Sequence, residues 1–220
     1  AENGAMVRLV GLSGVGKTRF AQALFEKTIG SRPLDTSAVV YTNLSDSPDP
    51  QPPTLLSDLL ASRKAAILVI DNCPPDLHRT LAVLLNDTPT NKVSILTIEY
   101  DIRDDQPEGT QVVTLSTSSE ALIEQLVLRK YPTISAVDAR TIAVFSGGNA
   151  RIAIALGGTL EKNESLAGLT DTDLFKRIFL QRHEENNSLL LAAQVCSLVY
   201  SFDGEKIDTC LLYTSDAADE

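Results

Sequence analysis

Apolar residues along this chain change their spacing repeatedly, and each change predicts an element. Val7, Leu9 and Val10 form a short apolar run before a glycine-rich stretch; Phe20, Ala21, Leu24 and Phe25 then recur at three- and four-residue intervals. A strand and a helix ending near Gly30 and Pro33 follow from these patterns. Val39, Val40 and Tyr41 predict a second strand. Residues 45 to 53 hold four prolines and read as a loop, and Leu55, Leu56, Leu59 and Leu60 mark a second helix. Ala65 to Ile70 is continuously apolar and ends on Asp71, as does a strand buried on both faces of a parallel sheet. Leu77, Leu81, Leu84 and Leu85 predict a helix. Val93, Ile95, Leu96 and Ile98, then Val112, Val113 and Leu115, predict two more strands.

Beyond Ser116 the period becomes helical. Thr117 and Glu120 form a capping box before Leu122, Ile123, Leu126 and Val127, and Ser135 with Asp138 starts another helix that Gly147 and Gly148 stop. Asn149 caps a helix over 151 to 156, which Gly157 and Gly158 end. Leu174, Phe175, Ile178 and Phe179, and Leu189, Leu190, Ala193 and Cys196, predict two further helices. These elements give an α/β fold, a three-layer sandwich around a parallel sheet, followed by an all-helical part.

The stretch between the first strand and the first helix carries the chemistry. Gly11-Leu12-Ser13-Gly14-Val15-Gly16-Lys17-Thr18 fits G-x-x-x-x-G-K-[ST], the phosphate-binding loop. Glycines let the backbone curl so that successive N–H groups point at a polyphosphate, and a helix starting at Lys17 adds the positive end of its dipole. Lys17 neutralises the β- and γ-phosphates, and Thr18 offers a hydroxyl to Mg²⁺. The binding set comprises Gly11, Ser13, Gly14, Val15, Gly16, Lys17, Thr18 and Arg19. Asp71, at the carboxyl end of a buried strand, reads as the second magnesium-holding residue with Thr18, and as a catalytic residue beside Lys17. Its alternative is a carboxylate that caps the next turn. Thr97, near the end of the fourth strand, reads either as a γ-phosphate sensor or as an ordinary strand threonine. Arg103 lies in an acidic loop and reads as a surface ion pair. Neither His78 nor His183 has a Ser, Cys or Asp at a spacing that makes a catalytic group.

The net charge is −10. That balance argues against nucleic-acid binding, which draws its affinity from clustered Lys and Arg. No run of eighteen apolar residues and no leader pattern is present, and Cys73, Cys196 and Cys210 lack zinc spacing, so a soluble cytoplasmic protein without membrane contact is expected. Both ends read as cut: the chain opens at Ala1, and residues 210–220 resemble a translated sequencing-library adapter. Setting that tail aside removes Asp216, Asp219 and Glu220, so the acidic balance survives.

Together the loop at Gly11 to Thr18, ILVIDNC at Ile67 to Cys73, SILTIE at Ser94 to Glu99 and SGGNARIAIALG at Ser146 to Gly157 resemble the signal-transduction NTPases with numerous domains (STAND), the class that includes NB-ARC and AAA-like regulators. The resemblance implies a P-loop nucleotide-binding domain over 1–116, a helical, ARC-like subdomain over 117–183 and the start of a winged-helix subdomain over 184–209. It implies ATP or ADP and Mg²⁺ as cofactors, and adenine contacts from Gly148, Asn149 and Ala150, with Ala150 where that family usually has proline. Glu99 stands where its sensor strand usually ends in arginine. Asn72 stands beside Asp71 where hydrolysing machines often have glutamate, and an amide cannot act as a general base. The expected function is an ATP/ADP-dependent conformational switch of a signalling or defence regulator, with slow Mg²⁺-dependent hydrolysis and nucleotide-dependent self-assembly. The alternative is a turnover-competent catalyst, an AAA+ remodeller or a P-loop kinase; a third reading is a scaffold that binds nucleotide without cycling.

Overall fold

The structure, a computed structural model, describes residues 4–88, 91–99, 107–160 and 187–196. The predicted helix at Leu174 to Phe179, the loop around Arg103, His183 and the tail from 210 lie outside the described residues. Chain contacts group Ala1–Glu164 into one compact unit and Ser165–Glu220 into another. In the second, the described element is one helix, Asn187–Cys196.

The first unit is built on five parallel strands: β1 (Met6–Val10), β2 (Val39–Asn43), β3 (Ala66–Asp71), β4 (Val93–Ile98) and β5 (Thr110–Thr114), in spatial order β2-β3-β4-β1-β5. The chain leaves β1 for the far edge, walks back through β3 and β4, and finishes beyond β1. Loops at the carboxyl ends beside β1 therefore diverge and leave a crevice, the usual ligand position in such sheets. Central strands read as almost unbroken apolar runs because helices cover both faces. On one face Leu68, Ile70 and Ile95 pack against Leu56 of α2 (Pro52–Ser62) and Leu81 and Leu85 of α3 (Pro75–Asn86). On the other, Leu9, Val69, Leu96 and Ile98 pack against Ala21 of α1 (Lys17–Ala23). The fold is thus the predicted three-layer α/β sandwich.

Three boundaries differ from the sequence reading. Helix α1 stops at Ala23, not near Gly30. The Leu24 carbonyl accepts from Leu34 N at 2.8 Å, and the intervening turns use i→i−3 bonds such as Phe25 N to Gln22 O. Helix α2 starts inside the proline-rich stretch, at Pro52, because prolines at the first helical positions lose no hydrogen bond they would otherwise make. Helix α4 (Glu120–Lys130) is capped by Ser119, whose side chain accepts from Leu122 N, and not by Thr117. The Ser135 cap of α5 (Ala136–Phe145) holds as predicted, and Gly147 and Gly148 follow it at φ 55° and 79°.

Helix α6 departs further: it runs Ala150–Leu160, straight through Gly157 and Gly158. A Cβ on Gly157 would lie 2.4 Å from the Tyr131 ring, whose hydroxyl donates to the Ile154 carbonyl at 2.8 Å. Gly157 is therefore a packing glycine; at Gly158 the nearest atom to an added Cβ is the Tyr131 hydroxyl, at an ordinary 3.5 Å. Neighbouring glycines of one helix then carry opposite predictions. Gly157→Val should cost about 1–3 kcal/mol through overpacking, while Gly158→Ala should gain about 0.5–1 kcal/mol from helix propensity alone. Thermal unfolding of the two variants checks this; equal shifts would mean that Tyr131 does not read the glycine.

His78 is fully buried on α3. Its Nδ1 lies 2.7 Å from Thr97 Oγ1 and its Nε2 3.1 Å from Thr110 Oγ1, so the ring ties α3 to β4 and β5. Thr97 is turned into this buried contact and does not line the crevice, which rules against the sensor reading.

Candidate functional site

The loop between β1 and α1 is shaped by glycines at positive φ. Gly11 has φ 145°, and a Cβ there would lie 2.3 Å from the Leu115 carbonyl oxygen; Gly14 has φ 86°, and its Cβ would meet Asn149 Oδ1 at 2.5 Å. Gly16, at φ 102°, is the N-cap of α1 and supplies no capping side chain, so the first-turn amides of Lys17, Thr18 and Arg19 have no intrahelical acceptor. Lys17 is buried, its Nζ donating to the carbonyls of Gly11 at 2.7 Å and Leu12 at 2.9 Å. Burial lowers its pKa from the ordinary lysine value, and the Asp71 carboxylate opposes that shift.

Thr18 and Asp71, fifty-three positions apart, meet directly: Thr18 Oγ1 donates to Asp71 Oδ2 at 2.7 Å. Register explains it, because Asp71 on β3 and Leu9 on β1 both lie opposite Ile98 on the strand between them. Asp71 Oδ2 also accepts from the Tyr41 hydroxyl at 3.0 Å, and Oδ1 from Asn72 N at 3.0 Å. Asn72 itself sits at φ 56°, a left-handed conformation that asparagine tolerates, and its amide donates to Asn43 Oδ1 at 2.8 Å. Burial first, then the adjacent Asp71 charge, push the Tyr41 phenol up to about 12, so it remains a donor at neutral pH.

A cavity of about 770 Å³ opens over these groups. Ser13, Gly14, Val15, Gly16, Lys17, Thr18, Arg19, Asp71 and Ala150 of the predicted set line it; Gly11, Gly148 and Asn149 do not. Gly11 shapes the loop from behind. Gly148 donates nothing to the cavity: its carbonyl accepts from Ser118 N at 2.9 Å. Asn149 works on the loop itself, with Nδ2 donating to the Ser13 carbonyl at 2.8 Å and Oδ1 capping α6 at Arg151 N. Arg19 turns its guanidinium to Glu26.

Sequence reasoning missed three residues here. Arg151, on the first turn of α6, adds a cation to the cavity wall, and its N–H donates to the Gly14 carbonyl at 3.2 Å. Arg8, 1% exposed within the apolar run of β1, pairs through Nη2 with Glu99 Oε2 at 3.0 Å, and Glu99 lines the cavity. Tyr41 is the third. A charged residue inside an otherwise apolar strand was a usable signal for Arg8. Beside this pair the buried Cys73 thiol is pushed up to about 12, chiefly by burial and then by Glu99, and stays protonated.

The oxygens of Thr18 and Asp71 form a hard donor set that fits Mg²⁺, an ion that takes one or two protein oxygens and completes its shell with water and phosphate. Among the described residues no group of three or more His, Cys, Asp or Glu could hold a metal. No helix among them is long and apolar enough to cross a membrane.

No family model and no curated protein matches the chain. Solved structures that resemble it include a signal transduction ATPase with numerous domains (STAND) with a tetratricopeptide repeat sensor from Pyrococcus horikoshii, 16% identical with a TM-score of 0.52, over 93% of this chain and 34% of that one. The AAA domain of FIGL-1 in complex with ADP is 14% identical with a TM-score of 0.46, over 86% of this chain and 76% of that one. This chain therefore spans about a third of the STAND protein's length. Likeness at this identity establishes architecture, and with the parallel five-stranded sheet and the glycine loop after β1 it gives the chain a P-loop NTPase fold.

Proposed function

We propose that this chain is the ATP/ADP-binding switch of a STAND-type signalling or defence regulator, with slow Mg²⁺-dependent hydrolysis. The observation that carries this reading is the direct bonding of the helical segment to the phosphate loop: Asn149 Nδ2 to the Ser13 carbonyl and Arg151 N to the Gly14 carbonyl. A loop that rearranges around a diphosphate or a triphosphate then moves the start of α6 with it. Arg151 extends the coupling, since a cation on the helical side of the cavity attracts each added phosphate charge.

Mg²⁺ held by Thr18 and Asp71 would supply charge neutralisation to the phosphates. The chain's own part is to hold that end of the nucleotide: amides of the loop and Lys17 grip the phosphates, while Thr18 and Asp71 supply oxygen ligands. Hydrolysis is slow because, among the described residues, no lining carboxylate is placed as a base. Asp71 accepts from Thr18, Tyr41 and Asn72, Glu99 is held by Arg8, and Asn72 is an amide. Each nucleotide must favour its own conformation by a few kcal/mol to move the population usefully. Through the full-length protein that shift would control self-assembly in the cytoplasm.

The purified chain should carry ADP, recovered on denaturation, and its steady-state ATP turnover should fall below about 1 s⁻¹, the low end of ordinary enzymes. Turnover well above that rate would replace the switch with a remodeller or a kinase.

A further inference from the structure

Tyr41 lies on β2, the edge strand, opposite Val69 in the register. It is 52% exposed, so its ring gains little from burial. Yet its hydroxyl reaches inward to Asp71 Oδ2, the oxygen that Thr18 also uses, and its ring forms one wall of a second cavity of about 240 Å³ with Phe25 and Val39. The same strand sends a second tether to the same turn, Asn43 Oδ1 accepting from the Asn72 amide.

We propose that Tyr41 is a positioning residue for the magnesium site, an inference that rests on the nucleotide-binding reading above. A carboxylate has about four lone-pair positions on its two oxygens. In Asp71, Asn72 N takes one on Oδ1, while Thr18 and Tyr41 each take one on Oδ2. Were Thr18 to serve as a magnesium ligand through an oxygen lone pair, the ion would set the direction of its hydroxyl, so its bond to Oδ2 would no longer be the one that fixes the carboxylate. Tyr41 and Asn72 N then still hold one oxygen each, and the carboxylate plane keeps its angle. Without the phenol, Asn72 N on Oδ1 is the one of the three contacts left whose direction the ion does not set, and the group turns more freely about its terminal bond, whose torsional preference is broad. Outer-shell partners that orient a metal's carboxylate typically change metal affinity by about 10–100-fold when lost.

Tyr41→Phe removes the hydroxyl and keeps the ring, and thermal unfolding of the nucleotide-free variant confirms that it folds. The test is ADP affinity by calorimetry, with EDTA and with saturating Mg²⁺, for the unaltered chain and the variant. The expected result is an unchanged affinity in EDTA and a Mg²⁺-dependent gain about tenfold smaller in the variant. An equal gain in both proteins overturns the assignment, as does a parallel loss with and without Mg²⁺, which a merely structural tyrosine would give. If the unaltered chain binds no ADP, or binds it without regard to Mg²⁺, the nucleotide-binding reading fails first and the role of Tyr41 falls with it.

Discussion

Lys17→Ala is expected to weaken ADP and ATP binding by about a hundredfold or more, with little change in the stability of the nucleotide-free chain. Hydrogen bonds from an ammonium to phosphate oxygens contribute about 1.5–3 kcal/mol each. Two of them convert to a loss of roughly two to four powers of ten in affinity. Stability behaves differently because Lys17 is poorly placed without an anion. It is buried, its donors reach carbonyl oxygens of Gly11 and Leu12, and burial lowers its pKa. A folded-state pKa below the unfolded value of 10.5 means that the unfolded chain binds the extra proton in the window between them. Stability therefore rises with pH through that window, and below it the burial penalty is present in full. Alanine removes this penalty along with two hydrogen bonds to backbone carbonyls, and the opposed effects leave a net change within about 1 kcal/mol, or 2–4 °C in Tm. Calorimetry with ADP and thermal unfolding of the free protein measure the two sides. Retained affinity would remove the loop from the site; a large fall in Tm would make Lys17 a structural residue.

The separation between what Lys17 does for binding and for folding explains why it was legible in the sequence. Gly11 to Thr18 must supply a curl, a cation and a hydroxyl within eight consecutive positions, so the whole requirement is local and appears as a motif. The position of Asp71 was legible for a related reason: a run of buried apolar residues ending in a charge marks both a strand and its carboxyl end. Partners that meet only through the sheet left no such trace. Arg8 finds Glu99 across 91 positions and Tyr41 finds Asp71 across 30; Tyr41 looks in sequence like an ordinary member of its strand, and Arg8, though odd within an apolar run, does not name its partner. Helix ends failed in the same way. Gly157 and Gly158 carry a stop signal by local chemistry, but Tyr131, 26 positions earlier, needs the space that Gly157 leaves, and the helix continues through both. Thr97 could be read two ways from its position, and the strand-threonine reading fits: its hydroxyl goes to His78 on α3, whereas Glu99, two positions on, borders the cavity.

Asp71→Asn should abolish the Mg²⁺-dependent part of nucleotide affinity and lower hydrolysis by about two to three powers of ten, the several kcal/mol that metal-borne charge stabilisation supplies. Shape is nearly conserved, so the fold should survive. Among the described residues, the groups hydrogen-bonded to the carboxylate are Thr18 Oγ1, Tyr41 Oη and Asn72 N. Two are hydroxyls, which can turn and accept from the new amide, while the amide oxygen continues to accept from Asn72 N. What disappears is the negative charge. Asn72 cannot replace it, being neutral and tethered to Asn43. Lys17 and the loop amides remain, so ADP in EDTA should bind as before. Calorimetry with and without Mg²⁺ isolates the first effect and a turnover assay the second. A switch then makes a further demand: with ATP bound and hydrolysis removed, the full-length protein should signal differently from the unaltered one, whereas a scaffold that never cycles would be indifferent to the change. Undiminished Mg²⁺ dependence in the variant would show that the ion is held elsewhere, and the meeting of Thr18 with Asp71 would then be a contact between a helix and a strand and nothing more.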